Sequence, residues 1–219
     1  MAEPVIPSSS DPLPSAAPST PPTQEPSGVL VAFTFAKFRN LWLAAFTSAA
    51  GTWIQRFAQQ WLILSLTGSA FILGLNTFLA ELPLLLFTLI GGVIADRHDR
   101  RHLLMGSQAV QMLCALALTA MVFFDVTQVR YILVLSFIAG LAQAFGGPAF
   151  QSLVPSLVPR RHLSNAVALN SIQFNLAQAI GPAIGGIVLV SLGMAACFGL
   201  NGLCLLYTSP SPRDGLLSR

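Results

Sequence analysis

Long apolar segments and short polar breaks alternate along most of the chain. From Leu41 onward each segment approaches the ~20 residues that an α-helix needs to cross a bilayer. The segments lie at residues 41–66, 70–95, 103–124, 129–151 and 166–191, with a partial sixth at 194–203. The breaks are rich in Gly, Ser, Asp and Pro, which favour turns. The pattern predicts an all-α membrane protein with five complete spans and a partial sixth.

Composition supports a lipid environment and excludes several function classes. Hydrophobic residues make up 54% of the 219 residues and charged residues 9%, whereas soluble domains carry about 25% charged residues. The net charge of +3 comes mostly from basic clusters between the spans, so no nucleic-acid partner is expected. The three cysteines lack metal-ligand spacing, and no nucleophile–base or metal constellation is present. We therefore expect no enzyme, no metal site and no cofactor.

The basic residues predict an orientation. Seven of them fall on one side of the membrane if every segment spans: Lys37, Arg39, Arg97, Arg100, Arg101, Arg160 and Arg161. The opposite side carries only Arg130. Because basic residues concentrate in cytoplasmic loops, we expect a multi-pass protein of the cell (inner or plasma) membrane with a cytoplasmic amino terminus.

The two ends of the chain do not follow the apolar pattern. Residues 1–28 hold eight of the 15 prolines and no apolar periodicity, which predicts a disordered cytoplasmic tail. Residues 204–214 read CLLYTSPSPRD, which resembles the translation of a transposon-based sequencing adapter. We therefore expect residues 204–219 to be an adapter-derived artefact and the membrane-embedded domain to be 37–203.

Polar residues recur on one face of four predicted spans. At 100° per residue the stripes are Ser48, Thr52, Gln55 and Gln59, flanked by Arg56 and Gln60, on the first; Thr77, Glu81 and Thr88 on the second; Ser136, Gly140, Gln143, Gly147 and Gln151 on the fourth; and Ser171, Asn175 and Gln178 on the fifth. Polar groups in hydrocarbon need water or a partner. The stripes predict a polar central pathway, although interhelical packing would also explain any single one. We take the pathway candidates to be Arg56, Glu81, Gln55, Gln59, Gln143, Asn175 and Gln178.

Two ionisable residues lie well inside the spans. Arg56 precedes the outer end of its helix by eleven residues, and Glu81 follows the outer start of the next helix by eleven. Both therefore lie about 16 Å from that end at 1.5 Å per residue. Antiparallel neighbours would place them at one depth, where they could neutralise each other. Two interpretations stay open: a structural ion pair, or a substrate- or proton-coupling site.

A loop motif and a helix motif carry a family resemblance. Residues 92–101 read GVIADRHDRR and resemble the cytoplasmic loop signature of the major facilitator superfamily, G-x-x-x-D-R-x-G-R-R/K, with Asp99 in place of the second glycine. The resemblance implies a cytoplasmic gate formed by Gly92, Asp96, Arg97, Arg100 and Arg101. Residues 181–186 read GPAIGG, which looks like the G-P-x-x-G-G signature of that superfamily's antiporters. Its proline and glycines, Gly181, Pro182, Gly185 and Gly186, suit a bend pressed against the other half of a transporter.

A narrower resemblance covers residues 37–203. The runs FRNLW at 38–42, WIQR at 53–56, GPAFQ at 147–151 and NAVALN at 165–170 are similar to enterobactin-exporter-like and macrolide-efflux-like members. The resemblance implies a twelve-helix fold in two halves, with this chain supplying the amino-terminal six-helix bundle, truncated in helix 6. Its partners would be lipids, a small-molecule substrate and the missing carboxy-terminal half.

The function implied by that resemblance is proton-coupled efflux of amphipathic small molecules such as siderophores or drugs. Two alternatives remain. A small-solute importer would use the same fold, and a non-transporting membrane scaffold or sensor would tolerate loss of Glu81.

Overall fold

The computed structural model describes residues 31–97 and 99–208. This part of the chain is helical. Its α-helices are α1 (Ala36–Thr67), α2 (Ala70–Arg97), α3 (Arg100–Phe123), α4 (Val129–Leu153), α5 (Leu163–Leu192) and α6 (Met194–Thr208). Short 3₁₀ turns precede α1 and join α4 to α5. The predicted tail at 1–28 lies outside the described residues.

Four of these helical segments are long and apolar enough to cross a membrane. They are Ala70–Val93, Arg100–Phe123, Val129–Ser156 and Arg160–Leu192, and they correspond to four of the five complete spans predicted. The remaining one, α1, is 32 residues long, but its polar stripe lowers its mean hydropathy. Large apolar side chains on the outer faces are exposed, Leu89 and Val190 by 84% and 89%. Lipid can solvate such surfaces and water cannot.

The helical bundle begins before the predicted boundary at residue 37. Residues 31–34 form a 3₁₀ turn, and the backbone N–H of Ala32 donates to Asn165 Oδ1 at 3.2 Å. The Phe33 ring packs edge-on against Trp42, with centroids 5.1 Å apart. Trp42 Nε1 donates to the Leu169 carbonyl at 2.9 Å. These contacts tie the start of α1 to the start of α5.

Helix α6 extends past the predicted end at residue 203. It continues to Thr208 because Cys204, Leu205 and Leu206 are apolar, and Leu205 is buried. Residues 209–219 lie outside the described part, and the adapter origin of 204–219 stays a prediction.

The helices pack in a ring that has one gap, between α1 and α2. Helix α2 packs along α4, α4 along α3, α3 along α6, and α6 together with α5 along α1, whereas α1 and α2 make few backbone contacts. Glycines bring α2 and α4 close together. A Cβ at Gly140 would meet the Ala80 carbonyl oxygen at 2.0 Å, and one at Gly91 would meet that of Ala144 at 2.5 Å.

Apolar clusters lie towards both ends of the bundle. We call the end where α1, α3 and α5 begin the basic end, since the predicted cytoplasmic arginines lie there. Its cluster includes Phe38, Val154 and Leu169. The cluster at the opposite end is larger: Ile54, Ala58, Leu62, Ile63, Leu118, Ile132, Cys197 and Phe198. Between the two clusters lies a cavity that polar and apolar side chains line together.

Candidate functional site

One cavity of about 1230 Å³ occupies the interior between the two clusters. Its walls come from all six helices. Every residue of the four predicted stripes lines it, except Thr88. Thr88 is exposed, and its hydroxyl donates to the Leu84 carbonyl of its own helix. Helical periodicity therefore predicts a substantial part of the wall, and the tertiary structure joins the four stripes around one space.

The seven predicted pathway residues all lie on the wall of this cavity. They are Gln55, Arg56, Gln59, Glu81, Gln143, Asn175 and Gln178. Within the described residues, no cluster of three or more His, Cys, Asp or Glu side chains could hold a metal ion. The wall thus offers amides, hydroxyls and one ion pair. Their roles in transport stay predictions.

Arg56 and Glu81 bridge the gap between α1 and α2. Arg56 Nη1 lies 3.0 Å from Glu81 Oε1, and the two side chains are 42% and 44% exposed. The Arg56 guanidinium also lies over the Trp53 ring, 5.2 Å from its centroid. Because both groups are partly exposed to the cavity, the pair contributes at most about 1 kcal/mol to stability by the standards of solvated ion pairs. It leaves the site locally neutral.

A buried group of three polar side chains, which we call the polar triad, lies beside the ion pair. Gln59 Nε2 donates to Asn76 Oδ1 at 3.1 Å and to Ser136 Oγ at 2.5 Å. The Ser136 hydroxyl lies 2.6 Å from Asn76 Oδ1 and 2.9 Å from the Ile132 carbonyl. Each side chain is at most 7% exposed. The polar triad joins α1, α2 and α4 where the cavity meets the apolar cluster at the opposite end.

A second polar contact joins α1 to α6. Asn201 Nδ2 donates to Gln55 Oε1 at 2.7 Å, and Asn201 is 3% exposed. On the far wall, Gln111 Nε2 donates to Gln143 Oε1 at 3.2 Å. Gln55 and Gln143 are therefore held by neighbouring helices, while Asn175, among the described residues, bonds to the Ser171 carbonyl of its own helix.

Sequence reasoning missed Asn76 and Asn201. Asn76 lies five residues before Glu81, about 140° away around the helix, so the stripe of α2 did not include it. Asn201 lies in the helix predicted to be partial. Both residues could have been found from the free-energy cost of placing an amide side chain in hydrocarbon. That cost requires a polar partner or water on whichever face of the helix the amide lies.

The gate motif lies at the turn between α2 and α3. The side chains of Asp96 and Arg97 lie outside the described residues. Arg100 Nη1 donates to the Ser152 carbonyl at 3.2 Å, linking α3 to the end of α4, and Arg101 lines the cavity. A Cβ at Gly92 would meet nothing within 4 Å, so no close contact requires this glycine. The latch assigned to these residues stays a prediction.

Asp99 fits the turn without the glycine of the family pattern. Its φ is −64°, and its side chain accepts the backbone N–H of Arg101 at 2.9 Å as the N-cap of α3. That hydrogen bond, with a smaller contribution from the nearby His102, lowers the pKa of Asp99 below its usual value. The replacement therefore supplies a helix cap.

Two glycines of the helix-5 motif pack against α1. Gly181 and Gly185 are buried against α1: their Cβ atoms would meet Trp53 Cβ at 2.4 Å and Phe57 Cδ1 at 3.2 Å. These two glycines pack within this bundle, and contact of the helix-5 motif with another half of the protein stays a prediction. Pro182 and Gly186 are only partly buried. The bare face of α5 serves packing within this bundle.

The chain is similar in sequence to a family of membrane proteins and to several curated relatives. A family model described as "Transmembrane secretion effector" matches residues 27–209. The enterobactin exporter EntS of Salmonella typhimurium is 28% identical over 76% of this chain and 40% of its own length. The multidrug efflux pump Tap of Mycolicibacterium fortuitum is 32% identical over 68% and 38%. The macrolide efflux protein A of Streptococcus pyogenes is 26% identical over 69% and 38%.

The chain spans about two fifths of the length of these curated relatives. No solved structure gives a significant match.

Proposed function

Because this chain belongs to the transmembrane secretion effector family of major facilitator superfamily transporters, we propose that it forms the amino-terminal half of a proton-coupled exporter of amphipathic small molecules, such as siderophores or drugs. Membership confirms the sequence-based resemblance, and the chain is an integral membrane protein. The relatives' names describe export of enterobactin, macrolides and several drugs. That this chain takes part in export is our proposal, based on its similarity to these relatives.

The observation that carries the proposal is the single cavity onto which four polar stripes converge. A membrane protein held together only by scattered polar contacts would distribute them among its interfaces. Here amides, hydroxyls and one ion pair border a volume of about 1230 Å³, large enough for a drug-sized molecule. Aromatic side chains such as Phe174 share that wall, which suits an amphipathic substrate.

We further propose that a second six-helix block supplies the opposing wall. Rocking of two such halves around a midplane site would expose the cavity to each side in turn. Glu81 is the acid within this half that could take up a proton beside the substrate, with Arg56 as its counterion. Asp96, Arg97 and Arg101 would hold one conformation at the cytoplasmic gate, in a cell membrane with the amino terminus inside.

Flux through the complete transporter tests this proposal. The gene containing this chain would be recovered and expressed, and proton-driven uptake of a fluorescent drug would be measured in inverted vesicles. Glu81→Gln should abolish coupled uptake while leaving insertion intact, since glutamine keeps the shape and loses the titrating proton. Thr88→Val, on the same helix but off the cavity wall, serves as the control. Unchanged coupled export by the Glu81 variant would remove that residue from the mechanism.

Membrane topology offers an independent test. In a background without native cysteines, Arg161→Cys should react only with thiol reagents that reach the cytoplasm, and Thr127→Cys only from outside. A cysteine at position 97 should behave as the one at 161 does. Finding positions 97 and 161 on opposite sides would overturn the helix arrangement.

The flux direction separates export from the importer alternative, because the same vesicles would then lose rather than accumulate substrate. A scaffold or sensor would show no flux and would tolerate Glu81→Ala.

A further inference from the structure

The described charged residues on the cavity wall lie at two depths: an ion pair near its centre, and basic residues at its basic end. Among the described residues that line it, Lys37, Arg56 and Arg101 are basic and Glu81 is acidic. Lys37 lies 19 residues before Arg56 on α1, or about 28 Å at 1.5 Å per residue. Arg101 follows the end of α2, roughly 24 Å from Glu81 along that helix. Both distances exceed the ~8 Å screening length of physiological salt, so Arg56 and Glu81 set the local charge.

The ion pair keeps unused hydrogen-bonding capacity. A guanidinium has five N–H donors and a carboxylate has two oxygens. In the part of the chain that the structure describes, Arg56 and Glu81 have each other as their ion-pair partner, through Nη1 and Oε1. Both side chains are less than half exposed and face the cavity. A ligand can therefore meet donors and an acceptor side by side while the pair stays intact.

An aromatic surface adjoins this polar face. Trp53 lies under the Arg56 guanidinium, and its ring meets that of Phe174 edge-on with centroids 6.0 Å apart. Both rings line the cavity, and Phe174 is 52% exposed. The rings offer an apolar wall for a flat aromatic group.

We propose that Arg56, Glu81, Trp53 and Phe174 form a recognition subsite for an uncharged head group that carries a hydrogen-bond donor beside an acceptor and is attached to an aromatic ring, as in an aryl primary amide. A charged head group would compete with Arg56 or Glu81 for its partner and leave the other charge uncompensated. An uncharged donor–acceptor group bonds to both without separating them. This inference rests on the proposed transport function only in taking the cavity as the substrate site.

The test uses four naphthalene probes that differ only in the head group. They are 2-naphthamide, N,N-dimethyl-2-naphthamide, 2-naphthoate and 2-naphthylmethylammonium, and their dissociation constants would be measured on the full 219-residue chain in phosphatidylcholine nanodiscs, with empty nanodiscs as blanks. The primary amide should bind roughly two- to tenfold more tightly than the dimethyl amide, which lacks the donor, as one net hydrogen bond provides. It should also bind more tightly than both ions.

Variants of the pair should change the preferred charge. Glu81→Met leaves Arg56 without a partner, so 2-naphthoate should become the preferred probe. Arg56→Met should favour the ammonium probe in the same way. The double variant removes both charges, an exchange that ion pairs often tolerate, and it should bind the two amides equally. Arg130→Met, at the opposite end, should keep the wild-type order.

Two results would overturn the subsite. One is a wild-type preference for either ion, and the other is an unchanged probe order in a folded double variant. The double variant is included because either single substitution leaves one charge unpaired and could prevent folding. Proton-driven drug uptake into inverted vesicles without the amide preference would refute this inference alone. Binding with the amide preference but no drug flux would instead refute the proposed export function.

Discussion

A single methyl group at Gly140 should force α2 and α4 apart. An added Cβ would lie 2.0 Å from the Ala80 carbonyl oxygen and 2.9 Å from its carbon, whereas real Cβ atoms essentially never approach a heavy atom within 3.0 Å. Backbone atoms cannot rotate away as a side chain would. Gly140→Ala therefore requires the two helices to separate locally by about 1 Å, and forcing extra volume into a packed interface costs typically about 1–3 kcal/mol.

The expected result is a free energy of unfolding lowered by about 1–3 kcal/mol, measured by circular dichroism during titration of detergent-solubilised chain with sodium dodecyl sulfate. Coupled transport by the complete protein should also fall. Ala80 precedes Glu81, so moving α2 away from α4 shifts the Glu81 carboxylate relative to Arg56.

Gly74→Ala, on α2, is the matched control. A Cβ at Gly74 would meet nothing within 4 Å, so the same chemical change should stabilise the chain by up to about 1 kcal/mol through helix propensity. Opposite signs for the two variants would support the close approach of α2 and α4. If Gly140→Ala were as stable as the wild type, the contact at Ala80 would be wrong.

Three further predictions concern other contacts. Asn76→Ala should lower the free energy of unfolding by about 0.6 kcal/mol, the average for a hydrogen bond between membrane helices, and by at most about 1.7 kcal/mol for each bond lost, in the same denaturant titration; no loss would mean that the polar triad is not formed. Trp42→Phe removes the donor to the Leu169 carbonyl and should increase proteolysis before residue 36, whereas Trp61→Phe, at an exposed position, should not. Asp99→Asn should abolish the acid-dependent part of α3 stability. The pKa of Asp99 is lowered in the folded chain, chiefly by the hydrogen bond from the Arg101 N–H. The Asp99 charge therefore stabilises the fold above the pKa of the unfolded chain, and this contribution is lost as the pH falls through the pKa of the folded chain. Identical acid transitions in the variant and the wild type would contradict this prediction.

Much of the cavity wall followed from helical geometry alone. The 100° rotation per residue grouped Ser48, Thr52, Gln55 and Gln59 on one face, and counting from the helix ends put Arg56 and Glu81 at one depth. Both properties are local, because they depend on spacing along a helix whose regularity the apolar segments already implied. The structure places these residues on one wall, where the pair forms at 3.0 Å.

Contacts between distant helices could not be predicted in the same way. Asn76 of α2 meets Ser136 of α4, on the pair of helices that approach closely at Gly140, and Gln59 reaches Asn76 from α1. Gly181 packs against Trp53 of α1, a partner that its motif does not predict. Neither spacing nor composition fixes which helix lies beside which, since every helix here offers small residues to a neighbour.

The sequence by itself determined that the chain is a helical membrane protein, where most of its apolar helices lie and which face of four of them is polar, because these follow from charge scarcity, segment length and helical period. Only the tertiary structure decided that the polar faces enclose one cavity, that an asparagine outside every stripe completes a buried triad, and that the helix-5 glycines face inward. Those outcomes depend on the order and closeness of the helices around the bundle, which arise from side-chain packing between residues far apart in the chain.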